Sequence, residues 1–303
     1  MMAGEPRLPL LSNSHAWRVL PSESTTQEIL PAWARMLAGV LPLTTARAIE
    51  LDAMHRSGDR LNPRLRALAR WSAADANRCE YGRAMAAADF AREGGTADIS
   101  VISSNPGRLT TVERLVVQFS RRMMTEAYSI TDAEVAELLA ALGEERLMAL
   151  VLLLAHASYQ DRIFLAFGTP PETTVPPPVS TRFRLPRAAL PATHSTSHRG
   201  EPAEVTNVTK EWVRLREQLA KQKERAGRIR IPSRAEVLEH LGVDHPLAWQ
   251  AGIAWSRACF TYQPELTDAW FACTASFRQE TSLDPVFTSS VFWVVTDALN
   301  CFY

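Results

Sequence analysis

The chain has no excess of charge of either sign. Thirty-three Lys and Arg balance thirty-three Asp and Glu, and the pI is near 7. No global field therefore draws it to nucleic acid or to an anionic membrane surface. Only Asn207 to Arg230 is locally basic, which a solvated helix face explains equally well. Long apolar runs are missing too. The longest, "LMALVLLLAHA" from Leu147 to Ala157, is too short to span a bilayer and is flanked by charge. The first residues, "MMAGEPRLPLLSNSHAW", lack the charged-then-apolar order of a secretory signal. A cytoplasmic protein with no membrane partner is the expectation. Four cysteines, Cys79, Cys259, Cys273 and Cys301, are too few for a disulfide framework, and in a reducing compartment they are expected as thiols. Phosphate-binding glycine loops, zinc signatures and Ser-His-Asp arrangements are absent, and no cofactor or metal is expected. His194 and His198 stand four apart in a proline-rich stretch, which offers no helical support for a metal pair.

Strand signals are scarce. "ADISVISS" is the single short candidate, and the rest of the chain reads as helix. Ser24 and Gln27 have capping-box spacing ahead of "EILPAWARML". A second helix runs from about Thr44 to Arg56 and stops at Gly58. Asn62-Pro63 opens a third, with Pro63 at the first helical position, where its missing N–H costs nothing. Its pattern continues to Gly94, too long for one globular helix, so a break is expected near Asn77. Asn77 and Glu80 have capping-box spacing, which would place Cys79 in the first turn of a new helix. Helices are then expected at Thr111 to Tyr128, Thr131 to Leu142 behind a Thr131/Glu134 box, and Glu144 to Phe167.

Gly168 to Pro202 carries eight prolines and little helical period; it is a linker or a wrapping arm. Beyond it, helices are expected at about Val208 to Arg225, Arg234 to Leu241 behind a Ser233/Glu236 box, Pro246 to Phe260, Thr267 to Arg278, and from Pro285 onward. The length suits two domains. The resulting division is a first helical unit over 1–167, a proline-rich linker over 168–206, and a second unit over 207–303.

Leu61 to Tyr81, "LNPRLRALARWSAADANRCEY", aligns without gaps on Leu283 to Tyr303, "LDPVFTSSVFWVVTDALNCFY". The coincident pairs are Leu61/Leu283, Pro63/Pro285, Trp71/Trp293, Asp75/Asp297, Ala76/Ala298, Cys79/Cys301 and Tyr81/Tyr303. Paired tryptophans and cysteines, both rare residues, point to a duplicated unit. The first copy's pattern continues about twelve residues past Tyr81, so the chain is expected to end inside its second, incomplete copy.

Trp, Asp and Cys recur four apart in both copies, which keeps them on one helical face. Two readings follow. A carboxylate one turn from a thiol could handle protons, and a cysteine at a helix N-terminus is biased toward thiolate. Alternatively, Asp75 and Asp297 cap helices while Cys79 and Cys301 fill small core holes. His156, in the most apolar helix with Tyr159 about a turn on, reads as a satisfied core histidine. Cys259 and Cys273 read as packing residues, one of which could serve as an alternative resolving thiol. Trp33, Trp249, Trp270 and Trp293 suit helix packing.

"LNPRLRALARWSAADANRCEYGRAMAAADF" resembles the core of the carboxymuconolactone decarboxylase / alkylhydroperoxidase D-like superfamily, and "SSVFWVVTDALNCFY" looks like the same element in tandem members. The segment from Arg108 to Ile163 is similar to the family's later helices. The resemblance covers residues 20–167 and, more weakly, 205–303. It implies an all-α fold of tandem units and a homo-oligomer. It also implies thiol-dependent peroxidase activity with a hydroperoxide substrate and a thiol reductant. One branch of the family decarboxylates lactones instead, and loss of the chemistry would leave an oligomerising scaffold.

The family pattern is a glutamate, eleven residues, Cys-x-x-Cys, and a histidine four beyond the second cysteine. Cys79 matches the first cysteine, while Gly82, Ala86 and Ala67 stand at the second cysteine, histidine and glutamate positions. The family's second cysteine meets the peroxide and its first resolves it, so the first copy retains a resolving-type thiol alone. In the second copy Cys301 matches the first cysteine and Ser289 stands at the glutamate position. Catalysis is therefore expected to rest on the motif beginning at Cys301, with Cys79 in a degenerate counterpart.

Overall fold

The computed structural model describes residues 6–22, 28–95, 98–183, 185, 213–214, 216–217, 220 and 227–298. The fold is all-helical, with no strand among the described residues. The helices are α1 (Asn13–Val19), α2 (Ala32–Leu37), α3 (Pro42–Ser57), α4 (Pro63–Ala76), α5 (Glu80–Arg92), α6 (Ile99–Ser104), α7 (Thr111–Thr125), α8 (Asp132–Phe167), α9 (Arg234–Leu241), α10 (Ala254–Tyr262), α11 (Pro264–Glu280) and α12 (Pro285–Ala298). None of them is long and apolar enough to cross a membrane.

The capping chemistry explains most boundaries. Asn62 caps α4 by accepting the Arg64 N–H, with Pro63 next in line. Capping boxes at Thr110/Glu113, Thr131/Glu134 and Ser233/Glu236 start α7, α8 and α9. Gly143 breaks α8 with φ 75° and ψ 169°, a conformation restricted to glycine, so the two expected helices are two arms of one kinked element.

Several expectations are corrected. "ADISVISS" is helical: the Asp98 carboxylate accepts the Ser100 N–H, and Ile99 and Ile102 enter the core at helical spacing. Asn77 closes α4 instead of opening α5, because Arg78 takes a positive φ of 56° and reverses the chain. Cys79 is then itself the N-cap of α5. Pro246 to Phe260 is divided into a 3-10 turn, Ala248–Gly252, and α10. Thr111 to Tyr128 stops being α-helical at Thr125. Ser24, Gln27, most of Val208 to Arg225, His194, His198 and Cys301 lie outside the described residues.

α4 is the centre of the first half. It packs on α5, α7 and α8 and buries Leu68, Ala69, Trp71 and Ala73. The stretch after α8 wraps back as an arm. Glu172 accepts the Ala32 N–H and the Tyr81 hydroxyl, Glu28 accepts from Ser180 and Thr181, and Phe183 stacks on Trp17 at 5.8 Å. This arm is integral to the first core.

The structure extends the sequence offset of 222 beyond the aligned window. α2 and α10 start at Ala32 and Ala254, α3 and α11 at Pro42 and Pro264, and α4 and α12 at Pro63 and Pro285. Trp33/Trp255 and Arg35/Arg257 coincide at that offset. Asp284 caps α12 through the Val286 and Phe287 N–H groups, as Asn62 caps α4. α3 packs directly on α11. The surroundings of α4 and α12 differ sharply. α4 is buried on most sides, whereas α12 has no buried residue, and Phe292 and Trp293 are 68% and 59% exposed.

Candidate functional site

Cys79 sits where α4 turns into α5. Its backbone is extended, its N–H bonds to the Ala74 carbonyl at 2.8 Å, and its Sγ accepts the Gly82 N–H at 3.4 Å. The sulfur is thus at a helix mouth, yet it is 1% exposed. Burial pushes its pKa up to about 12, with the Asp161 carboxylate adding to the rise. The Gly82 N–H and the Arg70 charge oppose this and do not overcome it. At neutral pH Cys79 is a thiol, contrary to the thiolate expected from helix position alone. Asp75, one turn earlier, caps nothing; it faces outward to Arg83 at 3.1 Å and Arg121 at 3.9 Å.

The residues at the other motif positions explain the closure. Gly82 has no room for a side chain: a Cβ there would collide with the Asp161 carboxylate, lie 2.8 Å from an Arg70 guanidinium nitrogen and 3.0 Å from the Ala74 methyl. Arg70 Nη2 donates to Asp161 Oδ1 at 2.6 Å, and the Asn77 amide donates to Asp161 Oδ2 at 2.9 Å. This buried pair occupies the place a second cysteine would take. Ala67 and Ala86, at the glutamate and histidine positions, meet in one apolar cluster with Trp71 and Phe90. Gly82, Ala67 and Ala86 themselves supply no base, and the carboxylate nearest Gly82, that of Asp161, is engaged by Arg70 and Asn77.

Cys259 and Cys273 are also buried, and burial pushes each up to about 12. Both are packing thiols, as expected from their spacing. Trp33 is buried, while Trp249 and Trp270 are partly exposed, Trp270 meeting Tyr159 edge-on at 5.7 Å.

A second polar cluster was not anticipated from the sequence. On α3, Asp52 accepts from Arg56 at 3.2 Å and from the Gln160 amide of α8 at 2.7 Å. Arg56 also forks onto Asp89 of α5 with two bonds of 2.8 Å and donates to the Pro176 carbonyl of the arm. Burial alone would raise the Asp52 pKa, but Arg56, His156 and Gln160 together hold it far below the usual carboxylate range. The His55 and His156 rings stack at 4.4 Å. His156 is buried as expected but not satisfied. Among the described residues its ring nitrogens have no hydrogen-bond partner, and Asp52 Oδ1 is 3.8 Å from Nε2. The spacings 52/55/56 on α3 and 156/160 on α8 are the sequence signal for this network. Among the described residues, no three His, Cys, Asp or Glu side chains converge on a metal position.

No family model, curated protein or solved structure matches the chain.

Proposed function

We propose that the chain is a tandem helical protein of the carboxymuconolactone decarboxylase / alkylhydroperoxidase D-like kind. Its first unit is a structural platform, and its thiol-dependent peroxidase chemistry begins at Cys301. The observation that carries the division of labour is the buried Arg70–Asp161 pair standing in the space beside Gly82. With Cys79 sealed and protonated, the first unit has no nucleophile. The shared offset of the helix starts supports a duplicated unit.

In this chemistry the Cys301 thiolate, although it matches the family's resolving cysteine, takes the attacking role because Cys79, Cys259 and Cys273 are buried, and it attacks the terminal oxygen of a hydroperoxide. The O–O bond breaks, an alcohol leaves, and the sulfur becomes a sulfenic acid. A thiol reductant condenses with it, releasing water, and a second reductant thiol restores the protein thiol. Turnover of cumene hydroperoxide with dithiothreitol is the test. Wild type and Cys79→Ser are expected to turn over equally, and Cys301→Ser to be inactive. Loss of turnover in Cys79→Ser with its circular dichroism intact would overturn the assignment.

The burial of Cys79, Cys259 and Cys273 favours one second reading, a non-enzymatic scaffold. It predicts no hydroperoxide turnover, and no reaction of Cys79, Cys259 or Cys273 with Ellman's reagent at pH 7.5 before unfolding.

A further inference from the structure

The geometry points to a proton-controlled latch. The buried His55–His156 stack, with Asp52 beside it, keeps the arm of residues 168–183 closed while both imidazoles are neutral, and the arm opens when the stack takes a proton. Orphaned buried polar atoms are rare and need a reason. His156 is 3% exposed, and among the described residues neither of its ring nitrogens has a hydrogen-bond partner. Its Nε2 stands 3.8 Å from Asp52 Oδ1, beyond hydrogen-bond reach, and that oxygen already accepts the Gln160 amide at 2.7 Å. The His55 ring covers one face of His156 at 4.4 Å.

Among the described residues, the charges around the stack cancel in pairs. Asp52 of α3 and Asp89 of α5 are matched by Arg56 and Arg92. Arg66 and Arg70 of α4 pair with Glu93 and Asp161, and Arg60, between α3 and α4, pairs with Glu145 of α8. Glu172 of the arm faces Arg35 at 4.0 Å. Tyr81 of α5, Tyr159 of α8 and Cys273 of α11 are held protonated, first by burial. A proton on either imidazole therefore leaves one buried positive charge unmatched, and such a charge demands water. The crevice beside His55, about 30 Å³ between Gly58, Arg66, Leu153 and Leu266, has room for about one molecule. Hydration then requires a cover to open.

The arm is the cover with least support of its own. It contains Pro170, Pro171, Pro176, Pro177 and Pro178 and no helix, so no ladder of backbone bonds holds it together. Two arginines clasp it: Arg56 donates to the Pro176 carbonyl at 3.0 Å and Arg92 to that of Val175 at 3.0 Å. Arg56 also bonds Asp52 at 3.2 Å, the carboxylate that an imidazolium at His156 would draw away. The added proton thus repels the arginine that clasps the arm and competes for its counter-ion. This latch stands independently of the peroxidase reading.

Hydrogen–deuterium exchange of the full chain at pH 7.5 and 5.5, read by mass spectrometry and corrected for intrinsic rates, tests it. One proton taken up on opening multiplies the open population about tenfold per pH unit below about 6.5. Peptides from 168–183 should accordingly exchange about tenfold faster at pH 5.5, while those from α7 hold steady. In His55→Phe/His156→Phe the arm should exchange equally at the two pH values. His156→Phe alone forfeits no hydrogen bond, so it keeps the fold, and it should shrink the acceleration by about threefold or more. Wild-type arm exchange that ignores pH would overturn the latch. So would equal acceleration in α7, which marks global unfolding, or an acceleration of wild-type size in His156→Phe.

Discussion

Gly82 shows how one residue's missing side chain can make room for a buried ion pair. Arg70 and Asp161 approach each other at 2.6 Å through space that any Cβ at residue 82 would enter. A buried ion pair tolerates little displacement, because a charge stripped of its partner has no water to replace it. Gly82→Ala is therefore expected to cost about 2 to 4 kcal/mol, read as a lower urea midpoint at unchanged slope. Gly82→Cys should do the same and fail to form a disulfide with Cys79. A Gly82→Cys protein as stable as wild type, with a reducible bridge, would show that the pair can be displaced. The cysteine at residue 79 was legible in the sequence, and so was its place at a helix end. Its protonation was not, because it follows first from burial and then from the Asp161 carboxylate, eighty-two positions away.

At the scale of the element, α3 joins four neighbours by different means. It packs on α11 and sends Asp52, His55 and Arg56 toward α8, α5 and the arm. His55 lies well below its ordinary pKa of 6.5, first because it is buried and then because of His156, with Asp52 opposing. In the unfolded chain it titrates near 6.5. Below that pH the unfolded state binds a proton that the fold refuses, so stability falls as pH drops; above it this contribution is absent. The slope should approach about 1.4 kcal/mol per pH unit. Urea midpoints between pH 7.5 and 5 test this, and His55→Phe should show a flatter profile. Equal slopes in the two proteins would assign the acid sensitivity elsewhere. Asp52 contributes in a separate, lower window, since its stabilisation begins to fade at the unfolded carboxylate value and is lost as pH falls on to the lower folded one.

Over the whole molecule, the unequal treatment of α4 and α12 stands out. The two helices have matched starts and the same type of cap, yet only α4 is enclosed. A helix apolar around most of its circumference is stable when covered. As part of the oligomer proposed from the family resemblance, α12 is expected to lie in a contact between copies. Sedimentation should show an assembly larger than a monomer, and Phe292→Lys with Val295→Lys should shift it toward monomer. A monomeric wild type would remove this role for α12.

The all-helical class, most helix starts and the offset of 222 were determined locally, because Pro at the first turn, capping boxes and glycine breaks act over three or four residues. The short helix read as a strand and the cap assigned to Asn77 failed for the complementary reason. There, a positive φ at Arg78 and packing of Ile99 and Ile102 outweighed local preference. Tertiary structure alone decided which cysteine is sealed, which tryptophan is covered, and where a cavity remains. Each of those depends on burial, and burial is set by residues brought together from distant parts of the chain.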